Sequence, residues 1–429
     1  MTRFEKALEL LKQVSGSGSM LGLERVSELA SAFGDPQNAV PVIHVAGTNG
    51  KGSFCAMMAS VLSEQGLKVG TFNSPAMLTA NDQIRINGEP VSEELFADTV
   101  IRVYEKGKQK EIFPTEFEIV TVAAFLIFIQ EGCDIAVVEC GMGGDGDATN
   151  IISRPILSVI TNVSLDHCNY LGGTTAEIAS HKAGIIKQGR PVYYGGGDIS
   201  AYDVIKQAAA LKGSELYTID DFKDIIETDI NSDDTAVIYR ENAVSVPLKG
   251  AYQVRNLVNV LSCIEILRSE GYDIGIDNIR SGLAKVHWEG RFEQLSSDPL
   301  IIFDGAHNPD GMEQLCRSIE DYFPNNKPAI LIGVLADKDY ALYGLMLKDL
   351  VDRAFTVAPV NPRALSADEL AKALKNKGIS AEPFDSIVQG LEAAVDYCLS
   401  ANKPLLIIGS LYMYKDVKTV LNSKNVQNT

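Results

Sequence analysis

Basic residues are the scarce charge in this sequence: 38 Lys and Arg stand against 56 Asp and Glu across 429 residues, a formal net charge of −18. A chain this acidic lacks the clustered cations that nucleic acid or an anionic membrane surface requires, so neither is expected as a partner. A local basic pocket for phosphate stays open. Also missing is any apolar run near the ~20 residues needed to cross a bilayer. The longest, Ile119 to Ile129, is interrupted by Thr121 and reads as a buried helix. The seven cysteines (Cys55, Cys133, Cys140, Cys168, Cys263, Cys316, Cys398) are scattered and contain no Cys-x-x-Cys pair. Neither a disulfide framework nor a thiolate zinc site is therefore expected. The opening MTRFEKALELLKQV mixes charge into its apolar residues and offers no signal-peptide core. Together these absences predict a soluble cytoplasmic protein.

What is present is ordinary globular material, 46% hydrophobic and 22% charged, too apolar for a disordered chain. Short uniform apolar runs alternate with amphipathic stretches: VIHVAG (42–47), DIAVVECG (134–141), ILSVITNV (156–163) and RPVYYGG (190–196). Such runs separated by helices predict an α/β fold whose mostly parallel sheet is covered on both faces. A second series begins near Pro299 with LIIFDGAH, AILIGVLAD, AFTVAPV and LLIIGSLY, another α/β unit with its own core. The join is expected within Gln294–Asp298, giving domains 1–295 and 296–429. The acidic stretch Tyr217–Ala243 is expected to form β-excursions on the first domain.

Between a strand and a helix lies His44-Val45-Ala46-Gly47-Thr48-Asn49-Gly50-Lys51-Gly52-Ser53. Its glycines let the backbone curl so that successive N–H groups face inward. Lys51 adds a point charge and the helix N-terminus adds its dipole. This is phosphate-cradle chemistry, and Gly47 to Ser53 are its candidate nucleotide contacts. The stretch departs from G-x-x-x-x-G-K-[ST], with Val45 in place of the first Gly and Gly52 ahead of Ser53. The three Asn-Lys pairs, at 326, 376 and 402, all lack the Asp of a guanine reader, so ATP is the expected nucleotide.

Glu139 ends DIAVVE at a strand's carboxyl end, where ligands of open α/β sheets collect and where a carboxylate can hold Mg²⁺ over phosphates. Asp166-His167 follows the next strand. Taken alone, His167 reads as well as a hydrogen-bonded loop histidine, and Lys182 in SHKAGIIK as a surface ion pair.

GTNGKGS, VVECGMGG..DATN, SVITNVSLDH...LG.T, KAGIIK, W.GRFE, DGAHNP.G and GSLY occur in this order. As an ordered set spanning nearly the whole chain, they resemble the folylpolyglutamate synthase/dihydrofolate synthase family, ATP-dependent amide ligases related to the peptidoglycan Mur ligases. The resemblance implies a P-loop ATPase domain, a C-terminal Rossmann-like α/β domain, reaction in the cleft between them, and a monomer. It implies that ATP phosphorylates a substrate carboxylate and that the amine of L-glutamate attacks the acyl phosphate. By the same resemblance Ser74 and Glu139 bind one Mg²⁺, and His167 and Lys182 bind a second with Glu139 bridging. Lys182 would be N6-carbamylated, which turns a cation into a carboxylate-like ligand. Asn256 matches an adenine contact, Arg291 a phosphate contact and Asp304 a ribose contact; His307 and Ser410 match positions facing the incoming amino acid. His307 is also placed to cap a helix. His44, His181 and His287 are expected to be structural.

Where the family has Ser-Pro-His-Leu, this chain has Ser74-Pro75-Ala76-Met77. Asn-Glu-Arg-Ile becomes Asn81-Asp82-Gln83-Ile84, and Gly-Gly-Arg-Leu-Asp becomes Gly143-Gly144-Asp145-Gly146-Asp147, followed by Ala148. Trp-Pro-Gly-Arg becomes Trp288-Glu289-Gly290-Arg291, and Glu-Lys-Ala-Gly becomes His181-Lys182-Ala183-Gly184. The first three lie in segments that surround the pteroate substrate in the family, and they exchange a His and two Arg for Ala, Gln and Asp. Thr115-Glu116-Phe117-Glu118 keeps the family form and is a candidate set of acid contacts, with Asp147 and Ala148. Two alternatives accompany the folate reading: a paralogue joining an amino acid to a non-folate acid, and an inactive ATP-binding regulatory protein.

Overall fold

The computed structural model describes residues 1–15, 22–228 and 235–425. The chain forms two compact units, one of residues 1–247 with 254–287, the other of residues 248–253 with 288–429.

The first unit is built on an eight-stranded sheet. Its strands are β1 (Val42–Ala46), β2 (Val69–Phe72), β3 (Ile84–Ile86), β4 (Glu89–Pro90), β5 (Ile135–Glu139), β6 (Leu157–Ile160), β7 (Val192–Tyr194) and β8 (Leu216–Thr218). They lie in the order β4-β3-β2-β5-β1-β6-β7-β8, parallel from β2 through β8 and antiparallel at β3 and β4. Uniformly buried strands such as VIHVA and IAVVE are what a sheet covered on both faces demands. The run Ile119–Ile129 falls in the helix Glu116–Gln130, whose side chains are buried almost all round. One core cluster joins this helix to Val42, Ala136 and Val138, and a second joins the helices Thr175–Ala183 and Ile199–Leu211 to Ala46, Ile160 and Val192. By strand alternation His44 faces the same side as Val42 and Ala46, between the two clusters.

The chain leaves β1 through the helix Lys51–Glu64 toward β2, while β5 crosses past β1 to reach β6. The direction of winding therefore reverses beside β1, the position at which open sheets collect ligands at their strand carboxyl ends. The acidic stretch contributes β8 and a separate antiparallel sheet of β9 (Ile226–Thr228), β10 (Thr235–Tyr239) and β11 (Asn242–Val246). Residues 229–234 of that stretch lie outside the described residues.

The second unit holds β12 (Glu293–Ser297), β13 (Leu300–Asp304), β14 (Ala329–Ile332), β15 (Ala354–Thr356), β16 (Ala381–Pro383) and β17 (Leu405–Ile408). Their order is β12-β13-β17-β14-β15-β16, parallel throughout except for β12 at the edge. The expected join at Gln294–Asp298 meets β12, which pairs with β13 through a bulge; the division falls instead at His287/Trp288. Polar QLSSD is the signature of an edge strand as much as of a linker, and only pairing with β13 distinguishes them.

Candidate active site

The phosphate loop is held by the strand beside it. Thr48 N–H donates to Asn162 O (3.0 Å), Asn49 N–H to Asn162 Oδ1 (2.7 Å) and Thr48 Oγ1 to Ser164 O (3.0 Å). Thr161 Oγ1 donates to Asn49 O (2.6 Å). Gly50 sits at φ +82° as the N-cap of the helix Lys51–Glu64, and a Cβ there would fall 2.3 Å from Asn256 Oδ1. Only glycine meets both conditions. Asn256, expected at an adenine, is packed against this turn of the phosphate loop. Lys51 folds back over the loop, its Nζ 3.1 Å from Gly47 O and 3.3 Å from Thr48 O, and 3.9 Å from Glu139 Oε1. Ser53 is buried one turn into the helix.

Glu139 lies opposite Val45 in the register of β1 and β5, so the sheet itself sets its carboxylate beside the loop. Its other oxygen accepts from Asn73 Nδ2 (2.8 Å), and Asn73 is anchored through its N–H to Gln83 O (2.9 Å). Ser74, the next residue, is half-buried. Asn73 and Asn162 were not singled out from the sequence. The signal was a polar residue just past an apolar strand, where neither packing nor the ladder requires one.

Lys182 is 3% exposed near the end of the helix Thr175–Ala183. Burial first, and the charge of Lys51 second, push its amine down to about 7, while Asp166 and Asp147 act in the opposite direction. These interactions place the amine within electrostatic reach of the phosphate loop, and a surface ion pair is not what the structure shows. His167 takes a left-handed backbone (φ 52°) and its N–H donates to Asp166 Oδ1 (2.8 Å). Among the described residues no three His, Cys, Asp or Glu side chains converge on a metal-sized site. Glu139 at the end of β5 and Ser74 just past the adjacent β2 do offer a carboxylate and a hydroxyl, oxygen donors of the kind magnesium takes together with substrate phosphates.

The segment after β5 is an organised turn. Asp147 accepts from Met142 N (2.8 Å), Thr149 N (3.0 Å) and Thr149 Oγ1 (2.6 Å), and its buried carboxyl is raised by desolvation against those bonds. Ala148 is buried behind it. Thr149 Oγ1 lies 2.9 Å from His44 Nε2, and Cys140 Sγ 3.1 Å from the same nitrogen. Because the Thr149 proton goes to Asp147, His44 Nε2 is the donor. Burial and Lys187 lower His44 from the ordinary 6.5 to about 3. A depressed histidine contributes stability that is whole above 6.5 and is lost as pH falls toward 3, at about 1.4 kcal/mol per pH unit. We expect urea midpoints to drop between pH 7 and 5, with a smaller drop in His44→Gln; an equal drop would place the acid sensitivity elsewhere.

Two sequence departures meet in this turn. His181 Nδ1 lies 2.9 Å from Asp145 Oδ1 and 3.0 Å from Oδ2, an ion pair when the ring is protonated. The Asp that stands where the family has Arg thus faces the His that stands where it has Glu. Asp145 is thereby accounted for by a protein partner. Gln83 Nε2 similarly donates to Ala80 O (3.1 Å), while Ala76 is half-buried. Asp82 gathers the N–H groups of Met77, Leu78 and Thr79, closing the loop that follows Ser74.

TEFE proves to be a helix start. Glu118 N–H donates to Thr115 Oγ1 (3.3 Å) and Thr115 N–H to Glu118 Oε2 (2.6 Å), a reciprocal capping box, and Arg25 pairs with Glu118 at 3.0 Å. A Thr-x-x-Glu before an apolar run carries that signature in sequence. Phe117 stacks on Phe72 (5.7 Å between centroids), and Glu116 accepts from Ser15. Thr115→Ala is expected to lose about 1 kcal/mol of stability, the usual value of such a cap, without altering the KM of the acid substrate. A raised KM at unchanged stability would place Thr115 in direct contact with the acid instead.

In the second unit, Asp304 ends β13 and is 2% exposed. Its carboxylate accepts from Tyr252 OH (2.6 Å), Phe292 N (2.9 Å) and Ala306 N (2.8 Å). Desolvation raises its pKa, opposed by Tyr252 and by nearby Arg291. His307 Nδ1 donates to Gly305 O (2.7 Å), which makes Nε2 the acceptor nitrogen of the neutral ring. The helix Pro309–Tyr322 is capped by Asn308, not by His307. Ser410 follows β17, buried, and accepts from Tyr412 N (3.3 Å).

Comparison with known proteins assigns both units to one class. A model of the Mur ligase middle domain matches residues 45–264, and a model of the Mur ligase, glutamate ligase domain, matches residues 290–411. The folylpolyglutamate synthase of Lacticaseibacillus casei is 35% identical over 414 residues, covering 94% of this chain and 95% of that protein. The dihydrofolate synthase/folylpolyglutamate synthase of Bacillus subtilis is 34% identical, covering 92% and 94%. Among solved structures, E. coli FolC in complex with DHPP and ADP superposes with a TM-score of 0.87 at 29% identity, covering 99% of each chain. A bifunctional folylpolyglutamate synthase/dihydrofolate synthase with Mn, AMPPNP and L-glutamate bound gives 0.83 at 28%, covering 98% of each. The chain belongs to the folylpolyglutamate synthase/dihydrofolate synthase family.

Proposed function

We propose that this chain is an ATP-dependent ligase that joins L-glutamate to a folate-type carboxylate. What carries the proposal is the arrangement at the carboxyl edge of the first sheet, where Lys51 covers a glycine-turned loop 3.9 Å from Glu139. Support for the substrates comes from the relatives named above and from the ADP, AMPPNP and L-glutamate held by the two solved neighbours. The N–H groups of the loop and the Lys51 ammonium orient the β- and γ-phosphates toward a bound carboxylate, which accepts the γ-phosphoryl group. The glutamate amine then adds to the acyl phosphate carbon, and phosphate leaves as the amide forms.

Each chain element has a task in this scheme. Lys51 exchanges two carbonyl acceptors for phosphate oxygens, so its charge is already in place as the phosphoryl group transfers. Asn73 holds the Glu139 carboxylate in one orientation. Ser74 and Glu139 would hold one Mg²⁺, with His167 and N6-carbamylated Lys182 completing a second site. Bound there, magnesium neutralises charge on the phosphoryl oxygens. His307, its Nδ1 held by Gly305 O, and Ser410, on the same sheet's carboxyl edge, are the residues we assign to the incoming glutamate. Arg291 contributes a cation to the phosphates, and Asp304, tied to Tyr252, fixes the loop that carries it.

Among the described residues no helix is long and apolar enough to cross a membrane. All seven cysteines are free thiols, in keeping with the reducing, ATP-rich cytoplasm to which we assign the enzyme. ATP turnover measured with dihydropteroate, tetrahydrofolate and unrelated acids, each with L-glutamate, tests the substrate class. Stimulation by a pterin acid is the expected result. No stimulation by any pterin would end the folate assignment, and phosphate release with another acid would replace it.

A further inference from the structure

Asp145 and His181 stand outside the phosphate machinery, yet they grip the element that carries Lys182. Beyond the contact of His181 Nδ1 with both carboxylate oxygens, the Asp145 N–H donates to His181 O (2.8 Å). Asn150 Nδ2 donates to Asp145 O (3.0 Å) and to Gly184 O (3.2 Å), closing the bracket on the other side of Lys182. A Cβ on Gly184 would fall 2.4 Å from Asp145 Cα, so the turn lies directly against the helix end. Side chains of the pair are 51% and 33% exposed. A couple so open to water contributes little to global stability. Its neighbour Lys182, by contrast, is sealed from solvent. Successive helical residues project about 100° apart, so fixing the azimuth of residue 181 also fixes that of residue 182.

We propose that Asp145 and His181 are positioning residues whose contact sets the rotation of the last turn of the helix Thr175–Ala183, and with it the place of the Lys182 side chain in the active site. The inference rests on the role given to Lys182 above. Neither partner touches the reacting atoms. What matters is that the two side chains meet across the turn, not which of them supplies the donor.

A charge-exchange cycle tests this. Asp145→Arg puts a guanidinium against His181, and His181→Glu sets two carboxylates against each other; each single change therefore loses the contact. The double variant Asp145→Arg/His181→Glu regains it with polarity reversed. Each single variant is expected to lower kcat about tenfold with the KM for ATP within about twofold, and the double to recover most of the loss. A second readout does not depend on turnover: acylation of Lys182 by acetic anhydride, followed by peptide mass spectrometry, should quicken several-fold in the single variants and slow again in the double. Single variants with wild-type kcat and unchanged Lys182 labelling would overturn the proposal, as would a double variant no better than the worse single. Lys182→Ala runs alongside. Wild-type turnover in that variant would remove the catalytic role of Lys182, while the labelling arm would still decide whether the pair positions it.

Discussion

Lys51→Ala is expected to reduce kcat by a factor on the order of 10²–10³, the usual loss when one preorganised charge is taken from a transfer site. The expectation follows from what surrounds the ammonium. It lies 3.1 and 3.3 Å from two loop carbonyls and 3.9 Å from Glu139, with its side chain 17% exposed. Removing it takes one cation from between the buried Glu139 carboxylate and the phosphates, so the KM for ATP should rise as well. Lys51→Arg restores charge but not shape: a planar guanidinium cannot replace a compact ammonium that bridges two adjacent carbonyls. We therefore expect Arg to recover nucleotide affinity and little of kcat. Phosphate release at saturating acid and glutamate checks this, and wild-type kcat in Lys51→Ala would show that the loop does not hold the transferring phosphate.

Lys182→Ala is expected to be comparably damaging, and it alone should be rescued by small carboxylic acids. An ordinary lysine at 10.5 is neutral in fewer than about one molecule in a thousand at pH 7. Burial and Lys51 bring Lys182 to about 7, where roughly half of the population carries the free amine. The free amine is the form that adds CO₂, forming an N–C bond and releasing a proton, and the resulting carbamate is an anion. A protonated Lys182 would otherwise confront a dication with like charge. In Lys182→Ala the space vacated by the side chain can admit acetate or propionate, which supplies the missing anion. Saturable recovery of phosphate release by these acids, absent in Lys51→Ala, is the expected pattern. No recovery at any concentration would favour an unmodified lysine.

Much of this site could be read along the chain because its parts are local. The phosphate loop, Glu139 at a strand end and the capping motif each occupy a few consecutive residues whose spacing carries the physics. What could not be read were meetings between distant segments. Asp145 and His181 lie 36 positions apart and form one contact, so two departures that read separately along the chain belong to one pair. Asn73 gains its role only because β2 lies next to β5, an insertion that strand patterns do not order. TEFE carries a local signature of another kind: its Thr-x-x-Glu spacing is that of the capping box the structure shows, whatever else those side chains touch. The edge strand β12 resembles a linker because both are polar and short.

The central claim is that ATP activates a carboxylic acid by phosphorylating it. Turnover with ¹⁸O-labelled acid carboxylate, ATP, magnesium and L-glutamate, followed by mass analysis of the liberated phosphate, tests it most directly. One labelled oxygen per phosphate released is the predicted result; phosphate free of label, with amide product still formed, would contradict it.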